Sequence, residues 1–205
     1  MKRREEALRR QFAAHTPGLM NGRGRYAVLC PFVRRGEELH LLFEVRAANL
    51  RRQPGEVCFP GGRMEPGESP EICALRETEE ELQIAPEQVE LWGRTDFITT
   101  ARGGWMQPVA GLVTEEGLRA LRPSPAEVAE TFSVPLRFFQ EESPALYHYD
   151  LKAEPEADFP HAEVGFPEGY PFRGGQVQVP IWKWENHVIW GLTGRVIRNL
   201  LEILE

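Results

Sequence analysis

A chain of 205 residues with 24 Lys and Arg against 31 Asp and Glu carries a formal net charge of -7 and a pI near 5.4. That length buries a substantial core but is short for two full domains, and an acidic balance without a broad basic stripe argues against nucleic acid as a partner. No segment approaches the roughly 18 continuous apolar residues of a membrane span, and three cysteines, Cys30, Cys58 and Cys73, without metal spacing suit a reducing, cytoplasmic compartment.

Met1-Lys2-Arg3-Arg4 could open a signal peptide, yet Glu5 and Glu6 follow at once and no apolar stretch of the needed length comes after, so secretion is not expected. A charged helix is predicted to about Ala14, with residues 1–22 forming an N-terminal helical extension of a single domain spanning 1–205. RYAVLCPFV and LHLLFEV then read as strands, joined through Arg34-Arg35-Gly36. The stretch LFEVRAANLRRQPGEVCFPGG, from Leu42 to Gly62, sets Arg46, Arg51 and Arg52 close together in a net acidic chain. An arginine fork donates two parallel hydrogen bonds to a phosphate, so this is a candidate anion site; an ordinary basic surface loop is the plainer reading. Cys58 reads as a small buried hydrophobe. Phe59-Pro60-Gly61-Gly62 is a loop whose glycines permit close backbone approach, able to present a carbonyl to a metal or amides to a phosphate.

Ser69-Pro70 is a helix start: the Ser hydroxyl accepts an orphan backbone N–H, and Pro in the first helical position loses no needed donor. At about 100° per residue, Ile72, Leu75, Thr78 and Leu82 make a stripe for the core, while Glu77, Glu80 and Glu81 converge on roughly the opposite side and Glu79 falls at the solvent edge. Like charges three or four positions apart repel by a few tenths of a kcal/mol per pair, so compensation must come from outside the helix. Clustered carboxylates without Cys or His favour Mg²⁺ or Mn²⁺ over Zn²⁺.

Further strands are expected near Val89 to Ile98 and Met106 to Val113; Trp105 is a core or rim aromatic that could stack on a base. Pro155, Pro160, Pro167, Pro171 and Pro180, interleaved with aromatics and glycines, make 154–180 a long irregular loop. It would cover a ligand, pack against a second subunit in a homodimer, or be a variable excursion. His148 and His161, near or in it, read as bystanders. Ile189, Leu192, Val196, Ile197 and Leu200 repeat as one buried face of a terminal helix, and the final Leu201 to Glu205 is not a peroxisomal address.

Gly62, five residues, Glu68, seven residues, then Arg76-Glu77-Thr78-Glu79-Glu80-Glu81 resembles the signature box of the Nudix hydrolases, G-x5-E-x7-R-E-U-x-E-E-x-G-U, with U a bulky apolar residue. Thr78 stands where an apolar residue is usual, and Gln83 stands where Gly normally ends the helix, so Gln83 must enter the left-handed region or let the helix end differently. The resemblance implies an α/β fold with a mixed β-sheet sandwiched between α-helices. It also implies hydrolysis of a nucleoside diphosphate linked to another moiety, with Mg²⁺ or Mn²⁺ held by Glu77, Glu80, Glu81 and the Gly61 carbonyl. Arg76 and Glu68 would support those carboxylates, and Glu77 or a carboxylate from a later loop would take the proton.

Leu42 to Gly62 is similar to the additional motif of the coenzyme A pyrophosphatase branch, L-L-T-x-R-(S/A)-x3-R-x3-G-x3-F-P-G-G, with Phe43 in place of Leu and Glu44 in place of Thr. It implies that Arg46, Arg51, Arg52, Gly55, Phe59, Gly61 and Gly62 bind a substrate of the coenzyme A class, whose 3′-phosphate supplies a further anion. Gly103 to Val113 and Ile189 to Leu201 resemble later segments of the same branch, so the likeness runs from about Arg25 to Leu201. Glu44 leaves open the same chemistry on ADP-ribose or another dinucleotide; a non-catalytic nucleotide sensor is the reading of a different class.

Overall fold

The computed structural model describes residues 2–15, 24–100, 103–167 and 169–205. Helix α1 (Lys2–Ala14) comes first, and every described side chain from Arg4 to His15 is exposed, so it contributes nothing to the core.

Eight strands form the main sheet: β1 (Arg25–Arg35), β2 (Glu38–Arg46), β3 (Val57–Cys58), β4 (Gly61–Arg63), β5 (Val89–Arg94), β6 (Ile98–Thr99), β7 (Trp105–Val113) and β8 (Val128–Pro135). Its spine runs β3-β2-β1-β7-β5, with β4 on β1, β6 on β7 and β8 on β2. β1 and β7 are parallel while every other pairing is antiparallel, which makes the sheet mixed. Side chains alternate between the two faces of a strand. In β1, Ala27, Leu29 and Val33 therefore join one apolar cluster and Cys30 and Phe32 the other. Both faces are covered, and this is why YAVLCPFV is an unbroken apolar run rather than an alternating one.

The first face is covered by α2 (Pro70–Leu82), through Cys73, Ala74 and Leu82. The second is covered by α4 (Leu136–Glu141) and α6 (Gly191–Leu204), through Phe139, Val196, Ile197 and Leu200. The remaining elements are α3 (Glu115–Ala120), β9 (Ala145–Leu151), α5 (His161–Val164), β10 (Gly175–Trp184) and β11 (His187–Ile189), the last three strands making a separate sheet in the order β11-β10-β9. The fold is α/β, a mixed sheet between helices.

Three expectations need correction. Ile72 is 59% exposed and Leu75 only partly buried; the side of α2 that meets the sheet is Cys73, Ala74, Thr78, Glu81 and Leu82. Small residues let the helix lie close to β1 and β4, and the buried Thr78 hydroxyl is satisfied by donating to the Ala74 carbonyl at 2.6 Å. Ile189 belongs to β11 rather than the terminal helix, because the chain turns at Gly191 (φ +64), the first residue of α6. Residues 175–180 are the start of β10 and not loop: Val177, Val179 and Ile181 alternate at strand period and pair with β9.

Candidate active site

The ends of α2 are set by local chemistry. Ser69 accepts the Ile72 N–H at 3.3 Å with Pro70 following, and Gln83 does enter the left-handed region (φ 57, ψ 32), its N–H reaching the Glu79 carbonyl at 2.9 Å. The bidentate pair from Arg94 to Glu71, 2.6 and 2.9 Å, ties the first turn of the helix to β5 and holds the Glu71 carboxyl down to about 2.

The Gly61-Gly62 corner, where β4 begins just after β3, lies under this helix. A side chain on Gly61 would collide with the Ala27 carbonyl and Val28, and one on Gly62 would overlap the Glu77 carboxylate. The absent side chain of Gly62 therefore makes room for Glu77, and that of Gly61 lets the chain lie against β1. Gly61 N–H donates to Glu81 Oε2 at 2.8 Å, and Glu77 packs on Gly62. Arg76 braces the group from one side. Its guanidinium binds Glu68 through Nε at 3.0 Å and Nη2 at 3.3 Å, Glu77 through Nη1 at 2.9 Å and Glu80 through Nη1 at 3.3 Å, and also donates to the Arg63 carbonyl at 3.2 Å. These bonds hold the Glu68 carboxyl below its ordinary value and push the Arg76 guanidinium above its own.

Glu77, Glu80 and Glu81 come together at one end of the helix but at three depths. The Glu80 side chain is 56% exposed and that of Glu77 is 17% exposed, while Glu81 is 5% exposed as a residue and turned toward the sheet, against the expectation that all three face away from the core. Glu79 is at the solvent edge as expected. Burial raises the Glu77 carboxyl, with Arg76 opposing. Glu81 is pushed up to about 9 by burial first and then by repulsion from Glu44, against the pull of the Gly61 N–H.

Sequence reasoning noted Glu44 only as a departure from a motif and did not single out Glu127; the structure sets both within range of the helix glutamates' charge. Glu44 is 1% exposed in β2 opposite Cys58, whose thiol donates to its Oε1 at 3.2 Å, and burial carries its carboxyl up to about 7. Cys58 is thus a hydrogen-bond donor as well as a small apolar filler. Glu127, ahead of β8, is held against the end of β2 by the bond from Ala47 N–H to its carbonyl, 2.8 Å, and its charge adds to the repulsion on Glu44, Glu77 and Glu81. The substitution of Glu for Thr in a strand facing the box was a readable signal for Glu44. Glu127 had none.

Among the described residues, no three carboxylate, imidazole or thiol groups converge closely enough to hold a metal ion as they stand, Glu80 being drawn onto Arg76. The donor set nevertheless fits a hard divalent cation: all oxygen, partly to fully buried, and mutually repelling.

The anion-binding expectation falls on the β2–β3 hairpin. Arg46 is partly buried, donating from Nε to the Arg52 carbonyl at 3.4 Å, and Arg51 and Arg52 are exposed. Gly55 (φ +74) turns the chain, with its N–H on the Arg46 carbonyl at 2.9 Å. Phe59 is 4% exposed and stacked 4.8 Å from Phe43, so its ring anchors the corner in the core instead of touching a ligand. Trp105 is partly buried against Phe97, 6.0 Å between centroids. A groove of about 950 Å³ runs past Arg25, Arg63 and the 63–67 loop, beside the box and away from the buried carboxylates.

The site is an arginine-braced set of glutamates on a helix laid over a Gly-Gly corner of a mixed sheet. The chain belongs to the NUDIX domain family, whose sequence pattern matches residues 23–150. It is 36% identical over 136 residues to the peroxisomal coenzyme A diphosphatase NUDT7 of Mus musculus, covering 66% of this chain and 56% of that protein. It is 34% identical over 178 residues to the Nudix hydrolase NudL of Photorhabdus laumondii, covering 86% of this chain and 82% of the relative. The chain therefore spans just over half of the mouse protein's length. Among solved structures, the Nudix hydrolase RenU of M. smegmatis superposes with a TM-score of 0.48 at 23% identity, over 60% of this chain and 76% of that one. No helix among the described residues is long and apolar enough to cross a membrane.

Proposed function

We propose that this chain hydrolyses the diphosphate bond of coenzyme A or an acyl-coenzyme A, giving 3′,5′-ADP and 4′-phosphopantetheine or its acyl derivative, with Mg²⁺ or Mn²⁺ as cofactor and in a reducing, cytoplasmic compartment. The observation that carries this reading is the placement of the arginine hairpin: Arg46, Arg51 and Arg52 lie on the loop that runs directly into the corner seating Glu77 and Glu81. The name of the mouse relative, a coenzyme A diphosphatase, agrees with it.

Glu77, Glu80, Glu81 and the Gly61 carbonyl are the groups that would hold the divalent cation, whose chemistry is to neutralise charge on the diphosphate and orient it for attack by water. Arg76 fixes the angle of Glu77 and Glu80, and Glu68 on the far side of the guanidinium keeps it there. The proton of the attacking water goes to Glu77 or to a later-loop carboxylate, for which Glu127 is the candidate. The hairpin guanidinia bind the nucleotide's remaining phosphate. One observation favours a second substrate class such as ADP-ribose or another dinucleotide: Glu44, where the coenzyme A branch has Thr.

The test is incubation of the purified protein with coenzyme A and with ADP-ribose, each with Mg²⁺ or Mn²⁺, against a Glu80→Gln control. Faster release of 3′,5′-ADP from coenzyme A than of AMP from ADP-ribose is expected. The reverse order moves the assignment to the second class, and no cleavage of either substrate leaves a nucleotide sensor or an untested substrate.

A further inference from the structure

Glu44 has no place in the box, yet it is the most buried carboxylate among the described residues, at 1% exposure. Strand alternation fixes where it points. Leu41 and Phe43 pack in the cluster beneath α6 while Leu42 packs in the cluster beneath α2, so Glu44 shares the α2 face with Leu42. Its partner across the ladder, Cys58, occupies that face too, since Val57 packs in the opposite cluster.

One of its oxygens is accounted for and one is not. Oε1 accepts the Cys58 thiol at 3.2 Å; Oε2 has no hydrogen-bond partner, and no Lys, Arg or His pairs with Glu44 among the described residues. Leaving a carboxylate oxygen buried and unsatisfied is costly, and an ion or a water in contact with it removes that cost. Burial acts most on Glu44, opposed by the Cys58 bond and the Arg46 charge; Glu127 and then Glu77 repel it, and Glu44 in turn repels Glu81. Glu44 is therefore a buried carboxylate on the face that α2 covers, within range of the helix glutamates' charge and with one oxygen unpartnered.

Resting on the reading of that cluster as a divalent-metal site, we propose that Glu44 is an additional metal-ligating carboxylate, its free Oε2 sharing a cation with Glu81 and Glu77, and that the Cys58 thiol positions it by holding the other oxygen. A threonine at this position would offer one neutral hydroxyl; Glu44 adds a charge to the donor set, and ligand charge count is what raises affinity in all-oxygen sites.

Binding of Mn²⁺ to the metal-free protein, counted from the electron paramagnetic resonance signal of the free ion, tests this without turnover. Glu44→Gln keeps the shape and removes the charge; Glu44→Asp keeps the charge and withdraws the oxygens by about one carbon–carbon bond, ~1.5 Å. Both variants are expected to bind Mn²⁺ about tenfold more weakly than the wild type, or to bind one ion fewer, with a smaller rise in melting temperature on adding Mn²⁺. Equal binding by Glu44→Gln overturns the proposal. Weakened binding by Glu44→Gln with wild-type binding by Glu44→Asp also overturns it, since only the field of the charge would then matter. A wild type that binds no Mn²⁺ overturns it together with the metal reading beneath it, whereas wild-type binding that survives Glu44 substitution removes this inference alone. Should the Gln variant not fold in chelator, Glu44→Thr provides the same comparison.

Discussion

The two faces of the main sheet are built from the same strands and finished differently. Toward α6 the sheet presents Phe32, Leu41, Phe43 and Phe59 to Val196, Ile197 and Leu200, an apolar contact with stacked aromatics at 4.8 Å. Toward α2 the interface is made of Ala27, Leu29, Cys73 and Ala74, and at its end Glu44 and Glu81 are buried in place of hydrophobes. The first arrangement maximises buried apolar area. The second gives up some of that area to keep carboxylates out of water, where their charge repels strongly and a cation is bound most tightly. On the proposed function, chemistry and stability are separated by a single layer of backbone.

Substitutions on the two faces should sort accordingly. On the α2 side, Glu80→Gln is expected to abolish turnover of the preferred substrate, a loss of at least about 100-fold in kcat, while the exposed position leaves the melting temperature near wild type; turnover near the wild-type rate would remove this carboxylate from the mechanism. Gly62→Ala pushes a methyl group into the Glu77 carboxylate. Because that carboxylate is the end of a flexible chain, it can shift, so activity should fall roughly 10- to 100-fold with little loss of stability. Collapse of the fold in place of activity would show that Gly62 serves packing. On the α6 side the pattern inverts. Ile197→Ala, at a fully buried position, is expected to cost about 2–5 kcal/mol in denaturant unfolding, with kcat unchanged at temperatures where the variant is folded.

The smallest effect concerns the Arg94–Glu71 pair at the start of α2. The Glu71 carboxyl is depressed in the folded state to about 2, so the stabilisation it confers is present above the ordinary Glu value of about 4.3 and is lost as the pH falls toward 2. Both partners are substantially exposed, at 51% and 30%, which holds the contribution below about 1 kcal/mol. Arg94→Gln should therefore lower the melting temperature slightly near neutral pH, and the gap from wild type should close as the pH drops through 4 toward 2. A gap independent of pH would assign the effect to packing of the arginine stem.

The same contrast explains what was readable in advance. Strands β1 and β2, the Ser69-Pro70 start, the left-handed Gln83 and the bracing of Glu68 by Arg76 depend on neighbours in sequence or on fixed spacing. Which side of α2 faces inward does not. The helix pattern placed Ile72 in the core, but the small pair Cys73 and Ala74 fits the close approach to the glycine corner, and that rotation carries Glu81 inward with them. Glu127 reaches the site only because its loop is bonded to the end of β2, some 80 residues earlier in the chain. In 175–180, proline and glycine obscured the alternation of Val177 and Val179 that forms β10.

The hairpin between Arg46 and Glu56 is closed by its own backbone. Arg46 N–H binds the Glu56 carbonyl at 3.0 Å, Gly55 N–H binds the Arg46 carbonyl at 2.9 Å, and Leu50 and Glu56 donate to Ala47 and Gln53 at 3.2 Å each. Residues 51–55 are exposed, and the glutamates are seated by Gly61 and Gly62 instead. On the proposed function, this hairpin is a cassette: it can be exchanged for one of different length or charge with Glu77 and Glu81 left where they are, provided the Ala47 N–H keeps its bond to the Glu127 carbonyl. On that reading, a change of substrate in such a scaffold, by descent or by engineering, proceeds by rewriting one loop.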